Sequence, residues 1–192
     1  MGNKKKGKVL DIAAGMGNIS FKLQEKGFEV HSADIDPKRF KPQNLNCIQI
    51  DANKNLPWEN EEFDYVVSVE TIEHLENPWN FIREIHRILK PEGSLIITTP
   101  NVESWLSRLF FLFFGQLKLF GRFYPADDSD DHITPIFTWN LNKMINNKFK
   151  ISHTTYNDLD EIPILPRIRL KIRPGRNNKF WGFIQIIEME KI

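Results

Sequence analysis

Glu70, Glu73 and His74, joined far along the chain by His132, are the residues whose types and spacing could do chemistry. Side chains three and four apart share a helical face, so a helix opening after the strand-like run Phe63–Val69 would let Glu70, Glu73 and His74 converge on one point. Two carboxylates and an imidazole make a candidate divalent-metal site, with His132 as a further ligand. Hard oxygen donors suit magnesium or manganese, and each imidazole moves the preference towards manganese, iron or zinc. His74 and His132 are equally candidates for acid-base work. The plainer alternative has Glu70 and Glu73 capping the helix and His74 packed or ion-paired. His132 would then pair with the acidic run Asp127-Asp128-Ser129-Asp130-Asp131 just before it.

A second constellation points to a nucleoside. Val9-Leu10-Asp11-Ile12 is an apolar strand that runs into the small-residue turn Ala13-Ala14-Gly15-Met16-Gly17, and a second strand closes on the carboxylate of Asp34. An open α/β sheet builds a nucleoside pocket in this way. Glycine has no Cβ, so a turn at Gly15 and Gly17 can take positive φ and lay bare backbone against a ligand. Asp34, at the carboxyl end of its strand, can accept hydrogen bonds from both hydroxyls of a ribose. After the next strand, Asp51-Ala52 is placed to receive the exocyclic amine of an adenine, unless Asp51 only caps its loop.

These side chains need elements to carry them. Strand and helix patterns alternate through the first hundred residues, which predicts parallel βαβ units. Strands are expected at Lys8–Ile12, Glu29–Asp34, Asn46–Ile50, Phe63–Val69 and Ser94–Thr99, the third of them buried around Cys47. Helices are expected over Asn18–Lys26 and Pro78–Leu89. The second opens on Asn77-Pro78, carries Phe81, Ile82, Ile85, Ile88 and Leu89 at helical spacing, and stops at Pro91-Glu92-Gly93. The crossover Pro37–Leu45 has room for one turn and a loop.

Beyond Pro100-Asn101 the pattern changes. Trp105–Phe120 is rich in phenylalanine and leucine near helical spacing, yet shorter than the roughly twenty residues a bilayer span needs. It reads either as a core helix or lid over the site, or as a peripheral membrane contact lying in the interface. Thr138–Asn146 predicts a helix capped by Thr138, followed by strands near Phe149–Tyr156 and Phe180–Glu190. Arg167, Arg169, Lys171 and Arg173 alternate with Ile168, Leu170 and Ile172, ahead of Arg176. An extended segment would give these cations one face, solvated by default and otherwise turned to phosphate or anionic lipid.

At 192 residues and 41% apolar composition, the chain suits one domain with a single sizeable core. A net charge of +1 gives no global electrostatic case for a nucleic-acid partner. The single cysteine, Cys47, excludes an intrachain disulfide and makes a reducing cytoplasm the expected compartment. Met1-Gly2-Asn3-Lys4-Lys5-Lys6 leads into a strand and does not read as a secretion signal, and Lys6 stands where a myristoylation motif wants Ser or Thr.

Together these blocks resemble the class I S-adenosylmethionine-dependent methyltransferases, especially the group known as methyltransferase domains 11 and 23. Leu10–Gly17 resembles the group's first motif and Asp34 its ribose-binding acid. Phe63–Val67, Glu73-His74-Leu75 and Leu89-Lys90-Pro91-Glu92-Gly93-Ser94-Leu95 resemble its later blocks, so the likeness spans about residues 8–100. The resemblance implies a Rossmann-like α/β fold: a mostly parallel seven-stranded sheet flanked by helices, with the Phe-rich helical insert after strand five. It implies S-adenosylmethionine as cofactor, with Asp11 and the Gly15 to Gly17 turn at its methionine part, Asp34 at the ribose, Asp51 and Ala52 at the adenine, and Ala13 and Ile35 among the further cofactor-binding residues. Ala13 stands where the group's pattern has glycine. The expected organisation is a single domain over 1–192, with 8–100 as cofactor-binding core, 102–135 as insert or lid on the acceptor side, and 136–192 as closing helix and strands.

Glu70-x-x-Glu73-His74 with the later His132 resembles the metal pattern of small-RNA 2′-O-methyltransferases, and ubiquinone-pathway O-methyltransferases share its Glu-x-x-Glu-His part. That implies Glu70, Glu73, His74 and His132 as ligands to magnesium or manganese, which would lower the pKa of an acceptor hydroxyl. Most members carry a helix ahead of the first strand, so here either the Phe-rich segment covers the cofactor or the site is more open. The expectation is O-methylation of a small-molecule, sugar or lipid-linked acceptor, in the cytoplasm or at its membrane. Balanced charge disfavours RNA as acceptor. A cofactor-binding protein without transfer activity and an RNA 2′-O-methyltransferase are the alternatives, and the Asp-led first motif points away from an NAD-linked oxidoreductase.

Overall fold

The computed structural model of the chain describes residues 6–120, 132–157, 161–165, 168–171 and 179–192. The cofactor-side elements are β1 (Lys8–Ile12), α1 (Asn18–Glu25), β2 (Glu29–Asp34), β3 (Cys47–Gln49), β4 (Phe63–Val69), α2 (Pro78–Ile88) and β5 (Leu89–Pro100). They are followed by α3 (Trp105–Phe114), α4 (Thr138–Ile145), β6 (Phe149–Asn157), β7 (Glu161–Leu165), β8 (Ile168–Lys171) and β9 (Ile184–Lys191). One seven-stranded sheet runs in the order β3-β2-β1-β4-β5-β9-β6. Strands β1 to β5 pair in parallel, and β9 lies antiparallel between β5 and β6. The order reverses at β1, so the carboxyl ends of β1, β2 and β4 flank the crevice where open α/β sheets take ligands.

Alternation along β1 decides what lies on each side of the sheet. Leu10 and Ile12 sink into the larger core with Phe81, Ile82 and Ile85 of α2. Val9 joins the smaller cluster with Leu23 of α1, Phe28 and Val67. Asp11 shares the face of Val9, and its buried carboxylate accepts the hydroxyl of Ser20 on α1 at 2.5 Å. The α2 start is as expected: Asn77 accepts from the backbone N–H of Asn80 at 3.0 Å, with Pro78 in the first turn.

Several expectations are corrected. The third strand is not buried: β3 is the edge of the sheet, with Cys47 half-buried and Ile48 exposed. Pro91-Glu92-Gly93 does not separate helix from strand. Leu89 already pairs with Phe63, and the residues up to Ser94 loop out as a bulge, Glu92 taking a φ of 60°, before pairing resumes at Tyr65. The Phe-rich helix ends at Phe114 rather than Phe120, because Gly115 adopts a left-handed φ of 66° and terminates it. Its reading as a core helix is overturned: Ser107 is its one fully buried residue, and Phe111–Phe114 are exposed.

Thr138 does not cap α4 but begins it, since its hydroxyl and its N–H both turn to the carboxylate of Glu103. The last strand starts at Ile184, not Phe180, because the side-chain amide of Asn101 holds the carbonyls of Lys179 and Gly182 at 2.7 and 2.8 Å in a turn. Ile168–Lys171 is extended and pairs with β7 as a hairpin. Arg167, Arg173, Arg176 and the run Asp127–Asp131 lie outside the described residues.

Phe81 is fully enclosed where α2 meets the sheet. Phe81→Ala is expected to lower the unfolding free energy by roughly 3–5 kcal/mol in urea denaturation. A loss within the roughly 0.5 kcal/mol typical of surface changes would contradict this placement of α2.

Candidate functional site

The turn after β1 closes on Asp34. Ala13, Gly15 and Gly17 take left-handed φ values of 59°, 53° and 82°. The N–H of Gly15 donates to Asp34 Oδ2 at 2.7 Å, and that of Asp36 to Asp34 Oδ1 at 2.9 Å. Each carboxylate oxygen thus gives one lone pair to the backbone and keeps another for a ligand. The two glycines serve different ends. A Cβ on Gly15 would meet nothing within 4 Å, so its backbone is open to a ligand, whereas one on Gly17 would sit 2.5 Å from Pro42 and 2.7 Å from Phe40.

A cavity of about 360 Å³ opens beside this turn, within the roughly 300–1,000 Å³ of small-molecule sites. Ala13, Gly15, Asp34, Ile35, Asp51 and Ala52 line it, and so do Glu70 and His74. Asp11 and Gly17 are not on its wall: Asp11 faces Ser20, and Gly17 lines a separate depression with Met16 and Pro42. Burial pushes the Asp11 carboxyl up to about 6 against the opposing Ser20 hydrogen bond. The Asn53 N–H, 3.0 Å from Asp51 Oδ1, holds the Asp51 carboxyl below its usual range, with Lys54 assisting. Arg39, Ile50, Asn53, Thr71 and Leu75 complete the wall and were not foreseen. Ile50 and Leu75 adjoin Asp51 and His74 in sequence, which was the available signal; Arg39 arrives through the 3₁₀ turn Pro37–Arg39, which no side-chain pattern announces.

Glu70 follows β4 in a left-handed conformation with φ of 47°. Its N–H donates to the Thr98 hydroxyl at 3.0 Å, and that hydroxyl donates to Glu70 Oε1 at 2.6 Å. Ile72–His74 form a single 3₁₀ turn, not the opening of an α-helix, so the shared-face argument for Glu70, Glu73 and His74 does not hold. Glu70 is drawn to Thr98 on β5, while Glu73 and His74 meet His132. The Glu73 carbonyl accepts the N–H groups of Ile133 and Thr134 at 3.0 and 2.9 Å, and the Thr134 hydroxyl donates to the Leu75 carbonyl at 2.6 Å. Those bonds set the His132 ring 4.6 Å from that of His74.

One ligand-capable atom from each of Glu73, His74 and His132 lies within 4.8 Å of the others. Glu73 is fully buried, and neither carboxylate oxygen has a donor in hydrogen-bonding geometry; the Thr99 hydroxyl is close enough only to soften its charge. Burial and then the negative charge of Glu70 push the Glu73 carboxyl up to about 8. A buried carboxyl without donors is completed by a proton or by a cation.

Comparison with known proteins places this geometry. Residues 10–97 match a family model described as a methyltransferase domain. The ubiquinone biosynthesis O-methyltransferase of Idiomarina loihiensis is 32% identical over 110 residues, covering 52% of this chain and 45% of that protein. The chain thus spans less than half the length of this curated relative. A SAM-dependent methyltransferase from Methanosarcina mazei superposes with a TM-score of 0.67 at 18% identity, over 98% of this chain and 94% of that one. One from Archaeoglobus fulgidus gives 0.66 at 21% identity, over 98% and 87%. The fold is the one those methyltransferase structures share, and the match to a methyltransferase domain falls on residues 10–97, which build the cavity.

Folding raises Glu73 from an ordinary 4.5 to about 8 and Asp11 from 3.8 to about 6, so each holds its proton more tightly in the folded chain. Their contribution to stability is complete below the ordinary values and is lost as pH rises through the folded ones. Glu70, also raised by burial, adds to the same fall. Chelator-treated protein is expected to lose melting temperature between pH 6 and 8, and Glu73→Gln to flatten that stretch. An unaltered slope in the variant would contradict a partnerless buried carboxyl.

Proposed function

We propose that the chain binds S-adenosylmethionine in the 360 Å³ cavity and transfers its methyl group to a hydroxyl of a small-molecule, sugar or lipid-linked acceptor. The observation that carries this reading is a single cavity whose wall joins Gly15, Asp34 and Asp51 to Glu70 and His74. The spare lone pairs of Asp34 suit a ribose diol, Ile50 and Leu75 give apolar contact for an adenine, and the open Gly15 backbone leaves room for the chain to the sulfur. The sulfonium supplies an already electrophilic methyl, so the protein's share is alignment and proton removal. As the carbon–sulfur bond gives way to a carbon–oxygen bond, the acceptor proton passes to an imidazole, for which His74 and His132 stand side by side. The curated relatives are named O-methyltransferases, which supports oxygen as the methylated atom. The near-zero net charge favours a small acceptor over a nucleic acid.

We further propose that Glu73, His74 and His132 hold a divalent cation. The support is the orphaned carboxylate of Glu73 and its closeness to the two imidazoles. With Glu70 bonded to Thr98, the donor set is two nitrogens and one oxygen, which favours manganese, iron or zinc over magnesium. Such a cation would lower the pKa of the acceptor hydroxyl and so replace the imidazoles as the aid to proton loss, His74 and His132 serving as its ligands and not as the base.

Calorimetry with S-adenosylhomocysteine, the demethylated product, tests the cofactor site. Asp34→Ala removes two charge-assisted hydrogen bonds worth about 1.5–3 kcal/mol each, so binding is expected to weaken at least about a hundredfold. Equal affinity in the variant, or none in the wild type, would overturn the reading. Elemental analysis tests the cation: metal that copurifies with the wild type is expected to be lost in Glu73→Ala, and equal content in both would remove it.

A further inference from the structure

We infer that α3 is a docking face for an anionic lipid surface. Leu112 and Phe113 are 73% and 71% exposed, and Leu109, Phe111 and Phe114 are exposed beside them. Residues four apart share a face, so Leu109 and Phe113 present one apolar surface and Phe110 and Phe114, with rings 5.4 Å apart, an adjoining one. Apolar side chains scattered singly are ordinary on soluble proteins, but a run of this length on one helix marks an interaction surface.

The helix is fixed to the body of the protein. Ser104 caps it, and the Ser107 hydroxyl accepts the Lys118 N–H at 3.3 Å. The Trp105 N–H donates to the Phe180 carbonyl at 3.0 Å, and the Trp105 and Trp181 rings meet edge-on at 5.5 Å. Exposure of its apolar face is therefore built into the fold. Ten residues make a helix about 15 Å long, half the roughly 30 Å of a hydrocarbon core. No helix among the described residues is long and apolar enough to cross a membrane. The length suits a helix lying in the interface.

Charge selects the partner. The α3 segment carries no carboxylate, and its one charged residue, Arg108, shares a face with Leu112 four residues on. Arg108 on α3 and Lys143 on α4 are exposed, and Glu103, just ahead of α3, is neutralised by Lys179 at 2.9 Å. The acidic run Asp127–Asp131 falls outside the described residues. Trp139 is 60% exposed, with the Lys143 ammonium 5.3 Å from its ring, the pairing of amphipathic ring and cation that suits a headgroup layer. A second copy of the chain would bring like cations face to face, whereas lipid phosphate complements them.

The docked face adjoins the proposed chemistry. The turn Leu117–Phe120 leaves α3 and sets the Phe120 ring 5.1 Å from that of His132. An acceptor drawn from the lipid would therefore reach the Glu73–His74–His132 cluster across one short turn, a consequence that rests on the transferase reading.

Cosedimentation of the full chain with phosphatidylcholine vesicles, with and without phosphatidylglycerol, tests the docking. The wild type is expected to pellet with the phosphatidylglycerol vesicles and to be released by salt. Leu112→Ser combined with Phe113→Ser removes two side chains already in solvent, so the fold and the S-adenosylhomocysteine affinity should stay unchanged. Partition should fall at least about tenfold. Arg108→Glu should weaken binding to the anionic vesicles. Failure of the wild type to bind, wild-type partition in the double variant, or a dimer in sedimentation velocity that the double variant dissociates would each overturn the inference. Turnover is not read, so failure here leaves the methyl-transfer reading intact, and absence of turnover leaves the docking intact.

Discussion

The hydrogen bond from the Gly15 N–H to the carboxylate of Asp34 is the contact on which the site depends. It ties the turn after β1 to the end of β2 and fixes a charge at the switch point of the sheet. Ala13 holds a left-handed φ of 59° within that turn, a conformation that costs an L-residue roughly 1–2 kcal/mol and that the surrounding bonds must offset. The Ala14 N–H to the Ala33 carbonyl at 3.0 Å is one such bond, made by the strand that also carries Asp34. Backbone and carboxylate are thereby set together before any ligand arrives, which limits what binding must reorganise.

The cavity half of the molecule was legible because local signals there coincide with tertiary roles. Gly15, Asp34, Asp51 and Ala52 line the cavity as their strand-end positions suggest. Asp11 shows the limit of motif reading. It belongs to the first motif, yet the period of β1 turns its carboxylate to Ser20 and away from the cavity. Gly17 shows another: its missing side chain makes room for Phe40 and Pro42, a packing constraint set by a loop whose path the sequence does not reveal.

The acceptor half was less legible because backbone bonds between distant segments assemble it. His132 reaches His74 through the Glu73 carbonyl, which receives Ile133 and Thr134, and no residue type signals a carbonyl as a partner. Glu70 appeared to belong with Glu73 and His74 on an assumed helical turn. The 3₁₀ geometry and the Thr98 hydroxyl separate it from them. Composition likewise announced the Phe-rich helix but not its exposure, since an all-round apolar helix is as compatible with a core as with an interface.

Amide hydrogen exchange of the full chain with and without S-adenosylhomocysteine tests the central claim most directly, because it reads the backbone that the ligand is said to cover. Slowed exchange is predicted at Gly15 and Asp36, whose N–H groups bond Asp34, and at Asp51 to Asn53. Saturating ligand that leaves those amides unchanged, while protecting a different part of the sheet, would contradict the account.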